Sequence, residues 1–253
     1  PAFNTTPVQG FIGDSIPPTM LCKNIIVELD ETGNASITAL EVDNGSYDEC
    51  GIDSLSIDLN SFNCADLGDN IVTLSAIDFF GNSNSCQATV TVQDNIFPSL
   101  SAAADITSTS STDDSGDCNV LVLIPDATYD DNCESNLTWT MSGVVSDNGI
   151  GQIGSYTFPV GLTTITYTNT DAALNATSED VVITITDDEN PSINCPEDIL
   201  QAADPGACVS NVLIATPLVD DNCGIASVIN SFNGTSDASD SYPIGNTNVL
   251  WTV

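Results

Sequence analysis

The sequence predicts an all-β protein built from tandem sandwich domains in an elongated array, and three observations predict it. One segment is written nearly three times along the 253 residues, which marks a tandem array. Short Val/Ile/Thr-rich runs of period two recur between clusters of Asn, Asp, Gly and Ser, the pattern of half-buried strands joined by turns. No apolar run keeps a 3.6-residue period long enough to predict a helix.

The repeat is anchored by Asp14-x3-Pro18-x3-Cys22, Asp94-x3-Pro98-x3-Ala102 and Asp187-x3-Pro191-x3-Cys195. Asp14 and Asp94 are 80 residues apart, and Asp94 and Asp187 are 93 apart. Each copy is therefore a small domain, not a solenoid turn. The expected organisation is a linker or the end of a preceding repeat over 1–13, then repeats over 14–97, 98–190 and 191–253, the last stopping before its final strand. Strands are expected at Asn24 to Leu29, Ile71 to Ile77, Gln87 to Gln93, Val120 to Ile124, Leu137 to Met141, Thr163 to Thr168 and Val181 to Thr186. Several short strands at this spacing indicate immunoglobulin-like β-sandwiches. Linkers of a few residues that contain Pro98 and Pro191 leave little room for swivelling.

Further motifs carry a family resemblance. The third copy has Cys195-Pro-Glu-Asp-Ile199, Asp221-Asn-Cys-Gly224, and Tyr242-Pro-Ile-Gly245 before Val249 to Val253. The first has Asp78-Phe-Phe-Gly81-Asn82-x3-Cys86, and the middle copy has Asp131-Asn-Cys-Glu134, Phe158-Pro-Val-Gly161 and Asp171-x2-Leu174-Asn175-x3-Glu179. Across nearly the whole chain this pattern resembles the hyalin repeat family, whose tandem arrays also occur in large bacterial cell-surface and gliding adhesins. The resemblance implies an extracellular immunoglobulin-like module with adhesive or scaffolding duty and no catalytic activity.

Nine cysteines in an acidic, strand-rich chain read as disulfides with one left over. Ala102 and Glu179 stand in the middle copy where the first has Cys22 and Cys86, a joint loss that pairs Cys22 with Cys86. Cys118 and Cys133, and Cys208 and Cys223, are each 15 apart; Ala35 takes the first place in copy one, where Cys50 gains Cys64. The expected pairs are Cys118–Cys133, Cys208–Cys223 and Cys50–Cys64. Cys118 begins a strand and Cys133 follows the loop at its far end, so this pairing requires that loop to fold back along the sheet. Cys195 remains, with a partner beyond Val253 or as a free thiol. Bridges closing loops of this size typically stabilise by about 2–4 kcal/mol each.

One Lys (Lys23), no Arg, no His and 36 carboxylates give a net charge of −35. Nucleic acids and anionic membranes are bound through Lys and Arg, so the natural partners of this surface are cations. No apolar stretch is long enough for a spanning helix. In an immunoglobulin-like topology the loop after the second strand, the last hairpin turn and the incoming linker share one pole. This brings Asp94, Asp130, Asp131 and Asp171 together with Asn132 and Asn175. The matching groups are Asp14, Asp48, Glu49 and Asp78, and Asp187, Asp188, Glu189, Asp220 and Asp221. Ca²⁺ takes six to eight oxygen ligands and would turn such repulsion into a clamp. Asp and Asn are equally the ordinary residues of turns, and no EF-hand loop occurs.

Without His or Arg, and with cysteines assigned to bridges, triads and His-based zinc sites are excluded. Asp114-Ser115-Gly116 echoes an aspartic-protease motif, but Asp113 and Asp117 flank it and it reads as a turn. Trp139, Trp251, Tyr156, Tyr167 and Tyr242 could stack on sugars or fill cores, and strand placement favours cores. Asn-x-Ser/Thr sequons stand at Asn4, Asn34, Asn44, Asn136, Asn175 and Asn233; they are glycan sites only in a eukaryotic secretory setting. The expected role is a non-enzymatic stalk segment of a repetitive surface protein, disulfide-stapled and calcium-stiffened, whose partners are neighbouring repeats and possible surface glycans or substratum. The alternatives are a glycan- or protein-binding module, with Ser142 to Ser155 as the place to look, and a filament subunit completed by a strand from a neighbouring chain.

Overall fold

The computed structural model describes residues 12–110 and 116–253; the Asn4 sequon and Asp113 to Ser115 lie outside the described residues. The first copy contributes β1 (Ile25–Glu28), β2 (Asn34–Ser36), β3 (Ile52–Ile57), β4 (Ser61–Asn63), β5 (Gly68–Asp78) and β6 (Ser83–Gln93). The second contributes β7 (Ser99–Ser101), β8 (Ile106–Thr109), β9 (Asn119–Leu123), β10 (Thr128–Asp130), β11 (Ser135–Gly143), β12 (Asp147–Ile150), β13 (Ser155–Pro159), β14 (Gly161–Asp171) and β15 (Ala176–Thr186). The third contributes β16 (Ser192–Asn194), β17 (Val209–Val212), β18 (Leu218–Asp220), β19 (Ile229–Asn230), β20 (Asp240–Pro243) and β21 (Trp251–Thr252). The sequence predicts no helix; one turn of helix, α1 (Ala39–Val42), forms nonetheless. Thr38 and Glu41 close a capping box around it, and Val42 is fully buried beneath it. Four residues fixed by caps and one core contact leave no periodicity for a sequence to display.

The chain divides into two compact units. Of the described residues, the first comprises those up to Ser101 together with Thr128–Leu137 and Thr168–Ser178; the second comprises those within Ala102–Ala127, Thr138–Tyr167 and Glu179–Val253. In the first, a four-stranded sheet of order β1-β6-β5-β3 faces the β2-β4 pair. Burial alternates along β5 and β6, as the period-two apolar pattern requires. Leu29, Ile37, Val42, Phe62, Val72, Leu74, Ala88, Val90 and Val92 form one core. β1 runs parallel to β6, with Ile25 opposite Val90 and Glu28 opposite Gln93. Cys22 and Cys86 form a disulfide with Cα atoms 6.0 Å apart, close to the entry end of this pair.

The strands of the middle copy repeat the plan, with sheet order β12-β11-β14-β15-β8 and β8 parallel to β15. In place of a disulfide, the Glu179 carboxylate accepts the Ala102 N–H at 2.7 Å. Val120, Val122, Ile124, Met141, Phe158, Ile165, Tyr167, Val181, Ile183 and Ile185 are buried in the second unit. The third copy repeats two pairings of the second: β16 with β18 as β7 with β10, and β17 with β20 as β9 with β13.

The last hairpins of the first two copies use the same turn. Gly81 donates its N–H to Asp78 O at 3.2 Å, and Leu174 donates its N–H to Asp171 O at 3.3 Å. Gly81 has φ of 89°, and Leu174 has φ of 73°, the sole positive φ outside glycine among the described residues. A left-handed leucine costs roughly 1–2 kcal/mol, and this one is 82% exposed, so little burial offsets it. Leu174→Gly is expected to raise stability by about 1 kcal/mol in chemical denaturation. Phe62→Ala, which empties the centre of the first core, is expected to cost about 3–5 kcal/mol in the same measurement.

Candidate metal centre

The loop after β10 begins with Asp131-Asn132-Cys133, and a local turn fixes it: Cys133 donates its N–H to Asp131 Oδ2 at 3.1 Å. The equivalent bonds are Cys50 N–H to Asp48 Oδ1 at 2.8 Å and Cys223 N–H to Asp221 Oδ1 at 2.8 Å. One short loop thus presents a carboxylate and a cysteine sulfur at fixed spacing in all three copies.

In the first unit Asp94, Asp131 and Asp171 each bring a carboxylate oxygen into one cluster, all within 4.8 Å of one another. Asp94 and Asp171 are both 4% exposed. The Asp171 oxygens are occupied, Oδ1 by the Asn175 N–H at 2.8 Å and Oδ2 by the Asn175 side-chain amide at 2.7 Å. That amide also donates to the Asp94 carbonyl at 3.0 Å. Asp94 Oδ1 accepts from Ile96 N–H at 3.0 Å and Asn132 Nδ2 at 3.2 Å. Asp94 Oδ2, Asp131 Oδ1 and Asn132 Oδ1 are buried with no hydrogen-bond partner.

Buried acceptors without donors are costly. Two of these three oxygens belong to the clustered carboxylates themselves, in a chain with one cationic side chain. Burial holds the Asp131 carboxyl above its ordinary 3.8, against the Cys133 N–H that lowers it, and the charges of Asp171 and Asp94 raise it further. The donor set is hard oxygen throughout. Such a set would suit a hard cation such as Ca²⁺, with Asp94, Asp131 and Asp171 as the residues that would hold it.

Two related clusters form at the other copies: Asp14, Asp48 and Cys50 in the first unit, and Asp187, Asp221 and Cys223 in the second. Asp48 Oδ2 is likewise buried and unpartnered. Asp78, the counterpart of Asp171, is 2% exposed. Burial disfavours its ionised form, but the Asn82 side chain and the N–H groups of Asn82, Phe80 and Gly81 outweigh this and hold its pKa below 3.8. A hydrogen bond to the Asp14 carboxylate, reinforced by burial and by the charges of Asp14, Asp48 and Asp78, raises the Cys50 thiol above 9.0. In the third cluster the Asn222 amide bonds to the Glu189 carboxylate. Asp130 and Asp220 end strands β10 and β18 as exposed residues and join no cluster; alternation turns them away from their Asp131 and Asp221 neighbours.

The cysteines depart from the sequence expectation. Cys64 bonds to Cys133 and Cys118 bonds to Cys223, with Cα atoms 5.6 and 4.9 Å apart. These replace the expected Cys50–Cys64, Cys118–Cys133 and Cys208–Cys223, and Cys50, Cys195 and Cys208 are free and exposed. Five-residue β9 separates Cys118 from the loop that carries Cys133; a strand of that length carries the chain about 17 Å, far beyond disulfide reach. Cys133 and Cys223 instead each take a sulfur from the preceding copy. Cys64 supplies this where Ala35 lacks one, from the facing strand: Asn34 lies opposite Asn63 in the β2–β4 pair. The seam is close. A Cβ on Gly33 would lie 2.5 Å from the Asn132 carbonyl and 2.7 Å from Cys64 Sγ.

Among the described residues the aromatic side chains offer no common platform. Tyr167 and Trp251 are buried, Phe232 stacks on Tyr242 with centroids 4.3 Å apart, and Tyr156 donates its hydroxyl to Asp147 at 2.8 Å. Trp139 lies over Gly149, where a Cβ would collide with the indole. Of the sequons, Asn175 points its amide inward to Asp171 and Asp94.

A family model, the HYR domain, matches residues 186–253. Two curated relatives, both named hyalin, come from the sea urchins Strongylocentrotus purpuratus and Lytechinus variegatus. Each is 27% identical, over 94% and 99% of this chain. The chain spans only 19% and 46% of their respective lengths. Nearly the whole chain is thus similar to hyalins, and its last part matches the hyalin repeat domain itself. Among solved structures, Drosophila N-cadherin EC1-4 matches at 12% identity and a TM-score of 0.33, covering 90% of this chain and 66% of that one. The fibronectin(III)-like modules of Clostridium thermocellum CbhA match at 13% and 0.29, covering 66% and 91%.

The raised Asp131 carboxyl sets a pH dependence. Between 3.8 and its native value this carboxyl holds in the folded chain a proton that the unfolded chain releases, so its contribution to metal-free stability falls as pH rises through that window and the cost is complete above it. Asp131→Asn is expected to raise the chelator-treated melting temperature at pH 7 and to flatten its pH profile between pH 3.5 and 7, read by scanning calorimetry.

Proposed function

We propose that this chain is a stalk segment of an extracellular, repetitive adhesive protein, in which Ca²⁺ stiffens the Asp-rich ends of the repeats and disulfides staple them. The observation that carries the reading is the set of buried, unpartnered oxygens on Asp94, Asp131 and Asn132. They lie on the linker and the loop and cluster with Asp171 of the hairpin turn, so one ion bound there ties linker, loop and hairpin turn together. The similarity to hyalins and the HYR match support the extracellular, adhesive and non-enzymatic parts of the reading. The disulfides support an oxidising compartment. No described helix is long and apolar enough to cross a membrane. The partners are neighbouring repeats of the same kind, with surface glycans or substratum as targets of the larger protein. The repeats of 14–97, 98–190 and 191–253 are its modules.

The chelator-stripped chain, titrated with Ca²⁺ at physiological salt in a calorimeter, is expected to bind saturably with at least one site, with Mg²⁺ much weaker. Substituting Asp94, Asp131 and Asp171 with Asn should remove that site. Weak, unsaturable binding that salt abolishes would make the carboxylates ordinary turn residues and defeat the reading.

A further inference from the structure

We propose that Cys50 and Cys208 are the two halves of one intermodule disulfide, each taking the reciprocal cysteine of another hyalin-type module. The assignment rests on repetition within the chain and is independent of whether the acidic clusters hold calcium.

Cys208 occupies the frame of Cys118. Cys118 O accepts the Val160 N–H at 3.1 Å, and Cys208 O accepts the Ile244 N–H at 3.1 Å. Each immediately precedes the first strand of an equivalent pair, β9–β13 and β17–β20. Cys118 is bonded to the Asp-x-Cys loop of the next copy; Cys208 is exposed and free. Cys50 occupies the frame of Cys133 and Cys223, closed by the same N–H to carboxylate turn. Both of those are bonded to the preceding copy, and Cys50 is exposed and free.

A second observation marks the same end of the first copy as a docking face. In the middle copy, Ala172 and Ala173 of the last hairpin turn line a groove with Leu67, Gly68 and Val92 of the first. Their counterparts, Phe79 and Phe80, are 66% and 44% exposed and stand beside Cys50, with Phe79 in reach of Gly51. Two neighbouring exposed phenylalanines beside an unpaired cysteine suit a module that seats on them and bonds to it.

The bond forms by exchange. The Cys208 thiolate attacks the Cys50 sulfur of a Cys50–glutathione mixed disulfide. The new Sγ–Sγ bond forms as the bond to glutathione breaks, and glutathione leaves as a thiolate that takes up the proton Cys208 lost. Each bond made reduces one glutathione disulfide to two thiols.

The test uses this chain as its own partner. One variant carries Cys50→Ser and Cys195→Ser, and the other carries Cys208→Ser and Cys195→Ser. They are mixed in a glutathione redox buffer and read by non-reducing electrophoresis and disulfide peptide mapping. The Cys50–Cys208 heterodimer is expected to exceed both homodimers together by about tenfold, because a matched interface raises the effective concentration of the correct pair. A statistical mixture, or glutathione adducts alone, would overturn the proposal. The same digest reads Cys22–Cys86, Cys64–Cys133 and Cys118–Cys223, which identifies any shuffled fold. As a second measurement, the chain with Cys195→Ser alone should give a concentration-dependent ladder joined only through Cys50–Cys208; a ladder of mixed links would sink the idea equally.

Discussion

The Asp-x-Cys turn is the element on which the rest of the arrangement depends. Its backbone N–H to carboxylate bond spends one Asp131 oxygen on the loop and leaves the other buried beside Asp94. The same bond fixes where the cysteine sulfur emerges. An electrostatic donor and a covalent tether are therefore set by one local constraint, and neither can move without the other. Because Asn132 also donates to Asp94 Oδ1 and to the Asp30 carbonyl, the loop is held from three directions before any ion is considered.

Much of the fold was legible because the strands obey a strict two-residue alternation. β5, β6, β14 and β15 each carry long Val/Ile/Ala/Thr ladders whose inward positions are buried. The meeting of Asp94, Asp131 and Asp171 was legible too, since topology alone places a linker, a loop and a hairpin turn at one pole. Asp130 and Asp220 were not distinguishable from their neighbours in sequence, because only the pleat decides which of two adjacent carboxylates faces the cluster. The one-turn helix at Ala39–Val42 left no periodic trace.

The cysteine pairing was hidden for a different reason. Pairing by shared loss within a copy assumes that bonded partners belong to the same copy, and it served for Cys22 and Cys86. Cys64 breaks the assumption. Its appearance alongside Ala35 compensates across a strand pair for a sulfur that points into the next copy. The signal was present in the sequence as one cysteine lost and another gained, but reading it needed the β2–β4 register. Gly33 adds the steric half of that account, since any side chain there would strike the Asn132 carbonyl.

The parallel pairing of each copy's first and last strands has a consequence for tension. Traction that enters ahead of β1 and leaves past β6 pulls the two strands in opposite directions along their length, so their ladder bonds are sheared together and do not unzip one by one. In the first copy the Cys22–Cys86 bridge lies ahead of that ladder and carries the load straight across, leaving the body of the sandwich between residues 22 and 86 outside the load path. The middle copy has only the hydrogen bond from Ala102 to Glu179 at that point, but Cys64–Cys133 and Cys118–Cys223 give tension a second covalent route through the short stretch 118–133. With its bridges intact the load bypasses the β8–β15 ladder, and only after reduction does that ladder bear the shear directly.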